Sequence, residues 1–417
     1  MKNKIIISIV VIMICLVGST LCFIAYGNKI RGTKPNITEQ VVYNDKNFNT
    51  RMFKTSYATS KGNYLISPYS MYVALSMVRD GGNANTSKEI SELIGSDKAK
   101  LLNNNSVHIA NAMFLKDEYK EAIENNYIEG LKNNYKAQLL LDKFETPEVI
   151  NSWVDKETSG MIKKVMDDID KDFVLGLANA IAIDVKWEQQ FMCTSTRSQE
   201  FTKKDGTKMN AEMMHQAYEF GANYIESDKA KGIIIPYQED THLEYIAIKP
   251  NDSIDNYIKN FSIEDLSKME ENKKSASNSL HINLALPRYT YDFTLESFMD
   301  NLVSLGMKDA FDAYKADFTN IISRDNMKKY NMDNLYINTA IHKTYIELNE
   351  AGTKAAAVTF FGFEKATSVR EPHYDTINLE LDKSFIYIIR DKNTKDILFV
   401  GVVNEPNEWK GSTCEEE

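Results

Sequence analysis

Residues 346–359, IELNEAGTKAAAVT, join an acidic strand-like stretch to a run of small residues of a kind rare in surface loops. From Thr353 onward, alternate positions read Thr353, Ala355, Ala357, Thr359, Phe361 and Phe363; the positions between them read Lys354, Ala356, Val358, Phe360, Gly362 and Glu364. That alternation has the period of a β-strand. On the first face every early position is small enough to slide between strands that already exist. The stretch therefore reads as a strand carried as a loop, and it demands a fold with a sheet large enough to take it in.

The rest of the chain can supply such a sheet. Its 417 residues are 43% hydrophobic and 11% aromatic, enough for a sizeable core and too apolar for disorder. A formal charge of -10 gives none of the clustered positive charge that nucleic-acid binding calls for. It favours solubility and, weakly, basic partners.

At the N-terminus, Lys2 and Lys4 precede an apolar run from Ile5 to Tyr26. The positive start and the small residues around Ala25 and Gly27 fit a secretory signal. The run is also long enough to span a bilayer, so an uncleaved anchor stands beside cleavage. Residues 1–27 are assigned to this segment, which predicts an extracellular or cell-surface-anchored protein. Residues 28–45 read as a polar linker, 46–410 as one long domain and 411–417 as an acidic tail. Two of the four cysteines, Cys15 and Cys22, lie in the leading segment. Cys193 and Cys414 remain; no CxxC spacing occurs, and unpaired thiols are expected over a single bridge. Asn-x-Ser/Thr sites fall at Asn36, Asn85, Asn104, Asn251 and Asn260, relevant only where a host glycosylates.

Within the domain, helical patterns come first. They cover Phe53–Thr59, Ser70–Val78 after the helix-starting pair Ser67 and Pro68, and Thr86–Ile94, with Thr86 as cap and Glu89 three residues on. Beyond Phe173 strand-like runs take over, among them VLGLANAIAID, YIAIKP, LYINTAIHKTYIEL, FIYIIRD and ILFVGVV. Helices early and strands late predict an α+β fold. No GxSxG elbow, HExxH helix or P-loop is present, so the chain is not read as an enzyme. His108, His215, His242, His281 and His373 lack ligand spacing, and neither a metal nor a cofactor is expected.

Several segments together resemble the serpin family. NYLISPYS carries Asn63, Ser67, Pro68 and Ser70; MVRDGGNANT carries Gly81 and Thr86. INSWVDKETSGMIKKV supplies Asn151, Trp153, Val154, Thr158, Gly160 and Ile162, and LANAIAIDVKWEQQF supplies Asn179 and Trp187. The closing stretch FIYIIRDKNTKDILFVGVVNEP continues the register, so the likeness runs from about residue 46 to Pro406. It implies helices packed on a large central sheet that accepts the reactive loop, plus smaller sheets, in a secreted or surface-anchored bacterial member.

The resemblance also implies roles. Glu350, Gly352, Thr353, Ala355, Ala356, Ala357 and Thr359 form the hinge. Ser67, Ser70, Asn179 and His342 form a polar cluster controlling the opening of the sheet, with Trp187 at its upper end. Family spacing from Glu350 puts the reactive bond between Ala366 and Thr367; a shorter spacing gives Lys365 and Ala366, and Arg370 lies farther than the spacing allows. The implied partner is a target protease, of serine type or possibly cysteine type, trapped as an acyl complex by a monomeric inhibitor after loop cleavage. A non-inhibitory serpin-fold binding or chaperone protein is the alternative.

Overall fold

A computed structural model describes residues 47–353 and 374–411, all within one compact unit, Asn44–Glu417. The leading segment, the linker, Lys354 to His373 and the acidic tail beyond Gly411 lie outside the described residues.

The helix Pro68–Gly81 shows how local chemistry sets these elements. The Ser67 hydroxyl accepts from the Ser70 N–H at 3.2 Å, proline opens the first turn, and Met71, Val73, Leu75 and Met77 are buried. The next helix, Ala84–Ile94, starts earlier than its sequence suggested. Asn83 caps it, with its side-chain oxygen accepting from the Ala84 N–H at 2.8 Å. The Thr86 hydroxyl instead accepts from the Asp317 N–H at 2.9 Å, and the Glu89 carboxylate accepts from the N–H groups of Lys308 and Asp309. Both expected capping groups are used to anchor a distant loop. The first helix likewise begins upstream, at Phe48–Tyr57 behind an Asn47 cap.

Eighteen described strands form four sheets. The largest holds β1 (Tyr64–Ile66), β8 (Asn223–Glu226), β9 (Ala230–Pro236), β10 (Leu243–Pro250), β11 (Lys274–Ser275), β17 (Phe385–Asp391) and β18 (Ile397–Val403), in the order β1-β18-β17-β10-β9-β8-β11. Every residue of β17 and β18 is buried, which is why these strands read as unbroken apolar runs rather than alternating ones. A second sheet, in the order β16-β12-β7-β6, is built from β6 (Arg197–Thr202), β7 (Lys208–Tyr218), β12 (Leu280–Pro287) and β16 (Asp375–Glu380).

The other two sheets face each other edge to edge. One is β3 (Gln138–Asp142), β2 (Val107–Lys116) and β4 (Leu175–Ile183), with β2 in the middle. The other runs β13-β14-β15-β5, from β13 (Tyr289–Thr294) and β14 (Lys343–Leu348) to the short β15 (Gly352–Thr353) and β5 (Val185–Lys186). Because β5 continues β4 after Asp184, the two form one broken sheet. The helix Glu148–Glu157 covers it, its Trp153 edge-on to Phe114 of β2 at 5.5 Å.

The stretch before Phe173 is mainly helical as expected, with β1, β2 and β3 set among its five described α-helices. One expectation is corrected. In LYINTAIHKTYIEL only Lys343–Leu348 is a strand; residues 335–342 run irregularly along the gap described below.

Candidate functional site

After β14 the chain turns sharply at Asn349. The Asn349 side-chain oxygen accepts from the N–H groups of Ala351 and Gly352 at 3.0 and 3.3 Å, and the Asn349 N–H donates to the Gly352 carbonyl at 3.0 Å. This side-chain turn reverses the strand, so that Thr353 pairs with Leu348 on one side and Val185 on the other. Thr353 is 2% exposed, and its hydroxyl shares a 2.6 Å hydrogen bond with that of Tyr237. Gly352 has to be glycine here: a Cβ would stand 2.0 Å from the Val185 carbonyl oxygen.

The turn is clamped from outside. Trp187 donates from its N–H to the Ala351 carbonyl at 3.0 Å and from its indole to the Asn349 carbonyl at 2.9 Å. Its ring stacks on Tyr237 at 4.6 Å between centroids. The Glu350 carboxylate accepts from the Thr196 hydroxyl at 2.5 Å and lies 3.2 Å from the Arg288 guanidinium. The Glu350 carbonyl accepts from the Phe191 N–H at 3.0 Å.

Below Thr353 the sheet is open. Among the described residues β4 pairs only with β2, and β14 only with β13 and β15, so the facing edges of β4 and β14 have no ladder between them. The gap encloses a cavity of about 330 Å³. One wall is Leu175–Ile181, the other runs from Asn338 to Tyr345, and Ser70, Met71 and Ala74 of the helix Pro68–Gly81 line it too. A small void touching Thr353 shares Met161, Ile181, Tyr345 and Phe399 with this cavity, so the slot continues up to the hinge.

The polar cluster sits at this slot. Buried His342 accepts at Nε2 from the Ser67 N–H at 3.0 Å, and Ser67 in turn caps Ser70. Desolvation holds the His342 pKa down at about 3, so its ring is neutral and its Nε2 is free to accept. Ser70, Asn179 and His342 all line the cavity, but Asn179 belongs to the opposite wall. Its amide donates to the Asn111 side chain at 2.8 Å, while its Oδ1 is buried without a partner among the described residues. The structure thus bonds His342 to Ser67 and Ser67 to Ser70, and places Asn179 across the gap from them.

Of the remaining sequence-predicted positions, Ala355, Ala356, Ala357, Thr359, Phe361, Phe363, Lys365, Ala366, Thr367 and Arg370 lie outside the described residues. Tyr237, Asn349, Thr196 and Arg288 were missed. Asn349 had a local signal in the turn-forming NEAG; the other three are brought to the hinge by tertiary structure alone. Cys193, expected as an unpaired thiol, is disulfide-bonded. The other three cysteines lie outside the described residues, and no sequence spacing could have shown the pairing.

Comparison with known proteins agrees with this geometry. Residues 43–406 match the family model described as Serpin (serine protease inhibitor). A serpin-like protein of Methanosarcina acetivorans is 29% identical over 383 residues, covering 84% of each chain. The leukocyte elastase inhibitor of Xenopus laevis is 27% identical over 376 residues, 83% of this chain and 94% of its own. Among solved structures, the thermophilic serpin tengpin in its native state superposes with a TM-score of 0.73 at 30% identity, covering 90% of this chain and 96% of its own. Thyroxine-binding globulin in complex with thyroxine gives 0.71 at 21% identity over 87% of this chain and 98% of its own, a likeness of fold alone.

Proposed function

The chain belongs to the serpin family, and from that premise we propose that it is an inhibitory member that traps a protease, most simply of the serine type, through its reactive loop. The observation that carries this reading is the open slot with Gly352 and Thr353 already seated at its upper end.

In this reading the protease nucleophile attacks the scissile carbonyl between residues 365 and 367, the new amine end departs, and an acyl-enzyme remains. The segment from Thr353 onward then enters the slot between β4 and β14. Its small residues Ala355, Ala357 and Thr359 pass between the strand edges; Phe361 and Phe363 follow. At ~3.3 Å per residue, Thr353 to Phe363 advances about 35 Å. An attached protease is carried that far and its catalytic groups are displaced, so the acyl bond persists, because deacylation needs placement finer than about 1 Å. The export segment at residues 1–27 would put this inhibitor outside the cell or on its surface.

The test is incubation with a panel of serine and cysteine proteases. A complex that survives denaturing electrophoresis, with release of the C-terminal fragment by mass spectrometry, supports trapping and locates the bond at Lys365–Ala366 or Ala366–Thr367. Cleavage without any complex returns the chain to the alternative of a serpin-fold binding or chaperone protein.

A further inference from the structure

The helix Asn125–Tyr135, NNYIEGLKNNY, runs against its own propensity. Four asparagines and one glycine fill five of its eleven positions, and both residue types are poor helix formers. Sequences break a local rule in this way chiefly where a site requires it. Gly130 has no packing or backbone reason to be glycine. Its φ is helical, and a Cβ there would meet only the Asn134 amide, at 4.0 Å. Alanine at such a mid-helix position would be the more stable choice.

What Gly130 leaves open is a cleft of about 460 Å³, a volume within the range of small-molecule sites. Buried Tyr127, Leu131 and Tyr135 line it from the helix, and exposed Asn126 and Asn134 stand four positions to either side of Gly130. The far wall includes Asp80, near the end of the helix Pro68–Gly81, with Asn320 and Ser323. Asp80 is fully engaged, accepting from the Tyr135 hydroxyl at 2.7 Å and from Arg79 at 3.0 Å. Burial, with the Asp80 carboxylate beside it, holds the Tyr135 pKa well above the usual tyrosine range, so that hydroxyl stays a donor. Glu124 accepts at Oε1 from the Ser323 N–H and the Asn326 amide, both at 3.3 Å, and Asn320 donates to the Gly82 carbonyl at 2.7 Å. Among the described residues, Glu124 Oε2, Asn320 Oδ1, the Ser323 hydroxyl and the amides of Asn126 and Asn134 remain uncommitted. No lysine, arginine or histidine lines the cleft.

We propose that this cleft binds a neutral sugar ring, free or as the terminal unit of a glycan. Each side-chain amide offers a donor and an acceptor to adjacent hydroxyls, and Glu124 and Asn320 accept further hydroxyl protons. The C–H face of the ring covers the apolar surface of Tyr127, Leu131 and Tyr135. An anionic ligand finds no cation here and faces the carboxylates of Asp80 and Glu124. The cleft shares no lining residue with the slot between β4 and β14, so the proposal stands apart from the inhibitory reading.

The test is titration calorimetry of the purified protein against glucose, galactose, mannose and N-acetylglucosamine, with hexuronates as anionic controls. At least one neutral sugar should bind, and every hexuronate should bind about tenfold more weakly than the best of them, or not at all. Gly130→Leu should fill the cleft and lower that affinity about tenfold, yet melt at or above the parent, because leucine is the better helix former. Asn126→Ala combined with Asn134→Ala should likewise weaken binding about tenfold with no loss of melting temperature. A purely structural role for these residues would move the melting temperature and leave binding alone. Methyl glycosides of the sugar that binds distinguish the two sources: retained affinity admits a glycan terminus, and lost affinity confines the cleft to free sugars. No binding by any neutral sugar, equal affinity for the parent and both variants, or a hexuronate bound as tightly as the best neutral sugar would overturn the proposal.

Discussion

Thr353 is the residue on which geometry and chemistry converge. It is already in the sheet, buried between Leu348 and Val185, with its hydroxyl bonded to that of Tyr237. A charge there would be buried, and an uncompensated buried charge costs several kcal/mol. Thr353→Arg should therefore expel the hinge and raise the barrier to insertion. A rise of about 2.7 kcal/mol slows that step about a hundredfold, enough for deacylation to win. The variant should be cut at the same bond yet release active protease, read as loss of the gel-stable complex; equal trapping by Thr353→Arg and parent would refute the hinge role. His342 gives a second prediction at this scale. Its folded pKa is depressed to about 3, against about 6.5 in an unfolded chain, so between these values the unfolded state binds more protons. Stability then rises with pH across that window and is lost as pH falls below about 6.5, by up to about 1.4 kcal/mol per unit from this group. Denaturant titrations at pH 7, 6 and 5 should show this slope, and His342→Asn should flatten it.

At the scale of elements, the sequence told which strands exist better than it told how they pair. β4, β10, β17 and β18 were legible as apolar runs, and the helix Pro68–Gly81 from its Ser-Pro start. β2 escaped notice because VHIANAMFLK mixes small and polar residues, and its burial comes from β3, β4 and the covering helix rather than from its own pattern. The turn before the hinge was legible in NEAG, while the alternation beyond Thr353 lies outside the described residues. The seating of Gly352 and Thr353 was not legible, since that depends on Trp187, Tyr237 and Val185, more than a hundred positions away. The open edges of β4 and β14 make a prediction of their own. Each presents backbone groups that an added strand can pair, the usual mode of strand capture by a sheet edge. A synthetic peptide with the sequence Thr353–Phe363 should fill the slot, abolish trapping and turn the protein into a substrate. A scrambled peptide of the same composition should do neither, and equal effects of the two would argue against a defined slot.

For the whole molecule, the proposed mechanism requires that the intact protein, with its sheet open, is not in its most stable arrangement. Among the described residues, the cavity of about 330 Å³ leaves its apolar lining short of packing partners, and Asn179 Oδ1 is buried without a hydrogen-bond partner. Filling the slot with the chain's own segment would close the ladder on both sides and cover that lining. Phe361 and Phe363 would each add about 1.5–3 kcal/mol if fully buried. Ordering the inserted residues opposes this at about 1–2 kcal/mol each, so the net gain is much smaller than the sum of contacts. Even a few kcal/mol matters, because unfolding entropy of about 2.1 cal/mol/K per residue makes each worth about 1–2 °C of melting midpoint in a domain this long. The closed alternative is barred while both ends of the loop are tethered, one at Glu350 through Thr196, Arg288 and the Phe191 N–H, the other at β16 on a different sheet. Cutting the loop frees the first end from the second. Limited proteolysis within residues 360–370 should therefore raise the melting temperature by several °C, without dissociation of the two fragments, whereas intact and cleaved protein melting together would mean that the slot does not take the loop and that insertion is not how this chain works.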